Sequence, residues 1–137
     1  MIGGALRNES FKDVKTPKLT LVAFRAVTTG RRSWAEVTIL REDGGHVEAE
    51  AEGDGSVDAI FRAVDAALAV RGKLTGLRIH AFADYGTVGK ASVRVDFGGR
   101  EYAGRGSSPD PLEAAACGYL SAASSYLAQR APRTSLR

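Results

Sequence analysis

"AEGDGSVDAIFRAVDAALA" (residues 51–69) is the stretch that decides the fold. Its second half is helical: Val57, Ile60, Phe61, Val64 and Leu68 fall at i, i+3, i+4, i+7 and i+11, one apolar stripe for a core. Just before it, "HVEAEAE" (46–52) alternates small or apolar residues with glutamates, as a half-buried strand does. Gly53 and Gly55 join the two periods, and Gly72 is the expected stop of the helix.

Upstream, "KLTLVAFRAVTTG" (18–30) is rich in β-formers. "SWAEVTILREDGG" (33–45) sets Ala35, Val37 and Ile39 against Glu36 and Thr38 before a double-glycine turn. Such turns need the positive φ that glycine accepts. The order strand, strand, strand, helix therefore precedes residue 72.

Downstream the same order returns. "LTGLRIHAFADYG" (74–86) places Leu77, Ile79, Ala81 and Ala83 on one side. "KASVRVDFGG" (90–99) turns Val93, Val95 and Phe97 inward and ends at Gly98 and Gly99, and "REYAGRG" (100–106) is the third strand. A helix follows in "DPLEAAACGYLSAASSYLAQR" (110–130), with Asp110 as cap, Pro111 at the first helical position and Glu113 placed for a capping box. Gly44 to Val57 spans 13 positions and Gly98 to Leu112 spans 14, so the halves register within one residue. The expected fold is α+β: two βββα units, antiparallel meanders covered by two helices. The expected divisions are a linker or leader over 1–18, a domain over 19–128 with units 19–72 and 73–128, and a flexible basic tail over 129–137. The small residues of the second helix (Ala114, Ala115, Ala116, Gly118, Ala122, Ala123) suit close packing or an oligomer interface.

Composition narrows the function. The chain has 137 residues and a net charge of +3, much of the basic excess lying near its ends. No aromatic platform interleaves with the basic residues, so nucleic-acid binding is not expected. One cysteine forbids an internal disulfide and fits a reducing, cytoplasmic setting; no apolar run reaches membrane-spanning length. His46 and His80 fall in different strands, and no metal set, cofactor or acid–base pair is expected. Cys117, beside alanines, reads as a core residue. Asp58, Asp65 and Glu113 read as helix-surface charge.

The glycine loops remain. "GDGSVD" fits neither the P-loop nor the dinucleotide fingerprint, and Asp54 and Asp58 would repel phosphate. One such loop is a tight turn. Two, "GDG" (53–55) and "GRG" (104–106), each before a helix, suggest open helix starts where backbone N–H groups meet a carboxylate beside an aliphatic pocket.

"GDGSVDAIFRAVDAAL", "LRIHAF" and "ASVRVDFGGREYAGRGSSPDPLEAAACGYLSAAS", in this order, resemble the C-terminal regulatory (allosteric dimerisation) domain of 2-isopropylmalate synthase and of the related citramalate synthase. The resemblance covers about residues 19–128. It implies two βββα units related by a pseudo-twofold axis and a homodimer. It also implies a pocket for an end-product amino acid, leucine, isoleucine or similar, that inhibits a separate catalytic synthase barrel. No catalytic role is implied for this chain, which is too short for a barrel of about 250 residues. The implied ligand-binding positions are Gly53, Asp54, Gly55 and Val57 at the first loop, Leu74, Leu77 and Ala81 along the following strand, Val88 after it, and Ser107, Ser108 and Asp110 at the second loop. Ser56 stands where the family usually has proline, Leu77 where many members have tyrosine, and Pro111 where an aliphatic residue is usual. A second reading is a free-standing assembly module, with a decayed pocket, that docks on a partner synthase.

Overall fold

Strict alternation in the middle strand organises the first sheet. β2 (Arg32–Leu40) buries Ser33, Ala35, Val37 and Ile39 on one face and turns Trp34, Glu36 and Thr38 to the other. β1 (Thr20–Thr29) and β3 (His46–Gly53) pair antiparallel on either side of it, giving the order β1-β2-β3. α1 (Ser56–Leu68) lays Ala59, Ile60, Phe61, Ala63 and Val64 on the inner face. Each large apolar side chain so buried contributes about 1.5–3 kcal/mol. The computed structural model describes residues 18–80 and 89–135.

The second unit repeats this plan. β4 (Gly72–His80), β5 (Gly89–Phe97) and β6 (Arg100–Ser108) form a separate antiparallel sheet in the order β4-β5-β6, and α2 (Pro111–Ser135) lies chiefly over β6 and β5. The repetition extends to irregularities. β1 slips register between Leu21 and Ala23, and β4 slips between Leu74 and Gly76, each just after the strand's start. The helices start 55 residues apart, and adding that offset to the buried set of α1 gives Ala114, Ala115, Ala116, Gly118 and Tyr119, all buried in α2. The expected α+β fold of two βββα units is the observed one. Between the units, Phe61 of α1 stacks on Tyr119 of α2 with ring centroids 4.3 Å apart; within the second unit, Phe97 meets the edge of Tyr119 at 5.8 Å.

Three local expectations are corrected. Gly72 does not stop the first helix; it opens β4. The stop is Ala69, held left-handed at φ 57°, with Val70 N–H donating to the Asp65 carbonyl and Ala69 N–H to that of Ala66. That is a Schellman closure built without glycine. Gly72 is required instead because a Cβ there would strike the Tyr119 hydroxyl, Phe97 and Val95. Gly104 and Gly106 are not an open loop. They lie within β6, where Cβ atoms would run into the α2 backbone at Gly118 and Ala114, so these glycines let the helix rest on the strand. Finally, α2 runs to Ser135, so 129–135 is helical rather than a flexible tail. No glycine follows Gly118 to stop the helix, and Arg130 packs over the Tyr126 ring at 5.1 Å.

Candidate functional site

The helix-over-sheet arrangement leaves one strand poorly covered. Leu74, Leu77 and Ile79 pair with Val95, Val93 and Ala91, so they share the inner face of the sheet. Their partners are buried, yet these three are 41%, 36% and 37% exposed, because α2 sits over the other two strands. Between this edge and α1 opens a cleft of about 670 Å³, within the usual range for small-molecule sites. Val57, Phe61, Val70 and Leu74 supply its apolar lining. Asp58, Arg62, Asp65, Arg71 and the buried Tyr119 supply its polar groups.

A counterpart lies between α2 and β1, as an internal twofold would produce. This groove, about 450 Å³, is lined by Leu19, Leu21, Cys117, Leu120 and four hydroxyl residues, with Lys18 at its edge. By the 55-residue helix offset, Cys117 stands where Arg62 does and Leu120 where Asp65 does. The duplication supplies two grooves; the first is lined by Asp58, Arg62, Asp65 and Arg71, and the second by a single charged residue, Lys18.

Asp65 is the most constrained polar group of the first cleft. Its Oδ1 accepts the Tyr119 hydroxyl at 2.7 Å and its Oδ2 accepts the Gly72 N–H at 3.1 Å. Burial raises its carboxyl above the ordinary 3.8, with those two hydrogen bonds pulling back. Tyr119 is held protonated far above its usual range, by burial first and then by its bond to Asp65. Asp58 is differently engaged: its Oδ2 accepts the Asp54 N–H at 3.0 Å and pairs with Arg62 Nε at 3.0 Å.

The two helix starts differ. Gly55 is the N-cap of α1 in extended backbone, and no side chain caps that end. At α2, Asp110 Oδ1 accepts the Leu112 N–H at 2.9 Å; Glu113 accepts the Ser108 hydroxyl at 2.7 Å, and the same Ser108 oxygen accepts the Asp110 N–H at 3.1 Å. The anticipated capping box thus exists as a relay through Ser108.

Of the positions expected to bind ligand, Val57 and Leu74 come together in the cleft. Gly53, Asp54 and Gly55 lie one turn before it at the α1 start, Gly53 packed so tightly that a Cβ would meet the Ala59 nitrogen at 2.5 Å. Leu77 lies one step along the same inner face of β4. Ser108 and Asp110 cap α2 and Ser107 is exposed at the end of β6; none of the three lines the cleft. Ala81 and Val88 lie outside the described residues. Phe61, Asp65 and Tyr119 were legible as a core residue, a surface charge and a helix stripe. Their convergence was not, since Asp65 and Tyr119 are 54 residues apart.

Other chemistry is sparse. Burial, then the charge of Glu113, pushes the Cys117 thiol up, away from the reactive thiolate. Among the described residues no group of three or more His, Cys, Asp or Glu gathers, and no helix is long and apolar enough to cross a membrane.

Comparison with known proteins bears on this geometry. Residues 5–127 match the LeuA allosteric (dimerisation) domain. Similar proteins include the 2-isopropylmalate synthase of Acidimicrobium ferrooxidans, 42% identical over 109 residues, which is 77% of this chain and 20% of that protein. The 2-isopropylmalate synthase of Stenotrophomonas maltophilia is 38% identical over 102 residues, 74% of this chain and 19% of that protein. That of Sediminispirochaeta smaragdinae is 35% identical over 88 residues, 64% of this chain and 17% of the relative. The chain thus spans about a fifth of the length of the curated relatives it matches.

Proposed function

The chain belongs to the LeuA allosteric (dimerisation) domain family, and from that premise we propose that it is a regulatory amino-acid-binding and dimerisation domain. It senses leucine or another branched-chain amino acid for feedback control of a 2-isopropylmalate synthase activity. In this reading the chain performs no catalysis of its own.

The single observation that carries the reading is the α1/β4 cleft, where Val57 and Leu74 stand beside Phe61 and Val70 with charged groups at the margin. An aliphatic side chain enters against those four residues, and Leu77 extends the wall. Gly53, Asp54 and Gly55 form the approach at the α1 start. Ala81 and Val88, from the segment after β4, are further proposed contacts. Ser107, Ser108 and Asp110 are proposed to act at the second helix start, by fixing α2 rather than by lining the cleft. A second copy of the chain is the proposed partner, and a catalytic synthase barrel is the element regulated. An effector that binds two dimer arrangements unequally shifts their populations.

Thermal-shift and calorimetric titration with leucine, isoleucine and valine tests this. Binding of at least one is expected; no heat and no shift from any of the three defeats the reading. A second reading, an assembly module without an effector, draws on one observation. The Asp58 carboxylate already occupies the Asp54 N–H beside the α1 start, where an effector's carboxylate would otherwise dock. It expects a dimer that is indifferent to amino acids.

A further inference from the structure

The outer faces of the two sheets, turned away from the helices and from the cleft, share one layout and differ in charge. In the first sheet the pairings set Arg25, Glu36 and Glu50 in one row across β1, β2 and β3, with Trp34 and Thr38 on either side of Glu36 along β2. Aligning the register slips of β1 and β4, and the buried Ala35, Val37 and Ile39 with Ala91, Val93 and Val95, gives the equivalent row of the second sheet. It is Arg78, Ser92 and Arg105, with Lys90 and Arg94 on either side of Ser92 along β5. The arginine of the first strand is kept. Both carboxylates of its row are replaced, one by a hydroxyl and one by a second arginine.

Ser92 therefore stands among four cations, all exposed like itself. Side chains directly opposite in a sheet lie about 4.5–5.5 Å apart at Cβ, and those two residues apart along a strand about 7 Å, so all four reach the space over the Ser92 hydroxyl. Like charges so placed repel, and none of the four forms an ion pair among the described residues. Gly76 lets the Arg94 chain lie over β4, its carbons 3.7–3.9 Å from where a Cβ would stand. Arg78, Ser92 and Arg94 thus share a shallow depression of about 490 Å³ with Thr75 and Glu101. The acids of this face sit in the row beyond Arg94 and are otherwise engaged: Glu101 accepts the Thr75 hydroxyl at 2.6 Å and Asp96 the Gly99 N–H at 2.8 Å.

We propose that the outer face of the second sheet binds the phosphate group of a small molecule, seated over Ser92. The Ser92 hydroxyl donates to one phosphate oxygen, the guanidinium forks of Arg78 and Arg105 close in from the two neighbouring strands, and Arg94 and Lys90 approach along β5. A phosphate dianion restores the two negative charges that Glu36 and Glu50 place in the equivalent row of the first sheet. A single carboxylate restores only one, and has too few oxygens to meet a hydroxyl and two forks. The site is independent of the amino-acid-sensing reading, since it lies on the opposite face of the sheet from Leu74 and uses none of the cleft's residues.

Thermal-shift and calorimetric titrations of the whole chain test this with inorganic phosphate, pyrophosphate and glycerol 3-phosphate. Each is set against sodium chloride at equal ionic strength, because screening alone relieves repulsion among the cations. All three are expected to raise the melting temperature above the chloride control. Glycerol 3-phosphate binding at least as tightly as inorganic phosphate identifies an ester as the carrier; the reverse order identifies free phosphate. Arg78→Gln combined with Arg105→Gln is expected to weaken binding at least about tenfold, the scale of a lost charge-assisted hydrogen bond. Arg25→Gln, the equivalent position on the first sheet, is expected to leave it unchanged. Ser92→Glu sets a carboxylate where the first sheet has Glu36, and is expected to abolish binding while melting no lower than the wild type in chloride. The proposal is overturned if no probe shifts melting beyond chloride. It is equally overturned if the double variant, shown folded by its melting in chloride, binds like the wild type, or if Arg25→Gln weakens binding as much as the double variant does.

Discussion

The Tyr119 hydroxyl of α2 donates to Asp65 Oδ1 of α1 at 2.7 Å, a hydrogen bond between the two repeated units. It stands at the edge of the Phe61–Tyr119 stack and at the wall of the cleft, so the element that joins the units also shapes the site. Tyr119→Phe keeps the stack and leaves a half-buried carboxylate short of a donor. Unfolding in urea is expected to show a loss of about 1.5–2 kcal/mol, the lower part of the range for a hydrogen bond to a charged group because the cleft admits water to Asp65. An unchanged midpoint would mean that the bond contributes nothing to joining the units.

The same carboxylate sets a pH dependence. Folded Asp65 holds its proton to a higher pH than the unfolded chain, whose ordinary value is 3.8. Between 3.8 and that higher value the folded state binds more protons, so Asp65's contribution is complete below 3.8 and is lost as pH rises through the window. Asp65→Asn is expected to remove this downward slope from a plot of urea midpoint against pH. Parallel curves for variant and wild type would contradict it.

Close approach of α2 to β6 predicts a sharp difference between glycines. Gly104→Ala places a methyl on the Gly118 carbonyl and the Ala122 nitrogen, both backbone, and is expected to cost about 3 kcal/mol or more. Gly76→Ala meets nothing nearer than 3.7 Å and is expected to melt close to the wild type. Thermal denaturation of the pair separates them, and equal melting temperatures would refute the close packing.

The first helix ends on a left-handed alanine, which costs about 1–2 kcal/mol relative to glycine before the entropy of the unfolded chain is counted. Ala69→Gly is expected to raise stability by about 0.5–1 kcal/mol in chemical denaturation. Destabilisation would place the residue outside the left-handed region.

Most of the architecture was written in periodicity. Alternation at Ala35, Val37 and Ile39, repeated at Val93 and Val95, and the helical stripes after each meander are local signals, and they give the two βββα units directly. Glycine roles were harder. Gly72, Gly104 and Gly106 are explained by what packs against them, and a contact with Tyr119 or with the α2 backbone is invisible to any local window. The site was half legible for the same reason. Val57 and Leu74 follow from the order of motifs, whereas Asp65 gains its meaning only when a tyrosine 54 residues later arrives beside it.

The central claim is that a small amino acid occupies the α1/β4 cleft rather than its twin. Amide hydrogen exchange with and without saturating leucine reads this position by position. Slower exchange is expected in α1 from Val57 to Asp65 and in β4 around Leu74, with the α2/β1 groove from Cys117 to Ser125 unchanged. Protection confined to that second groove, or no protection anywhere, would contradict it.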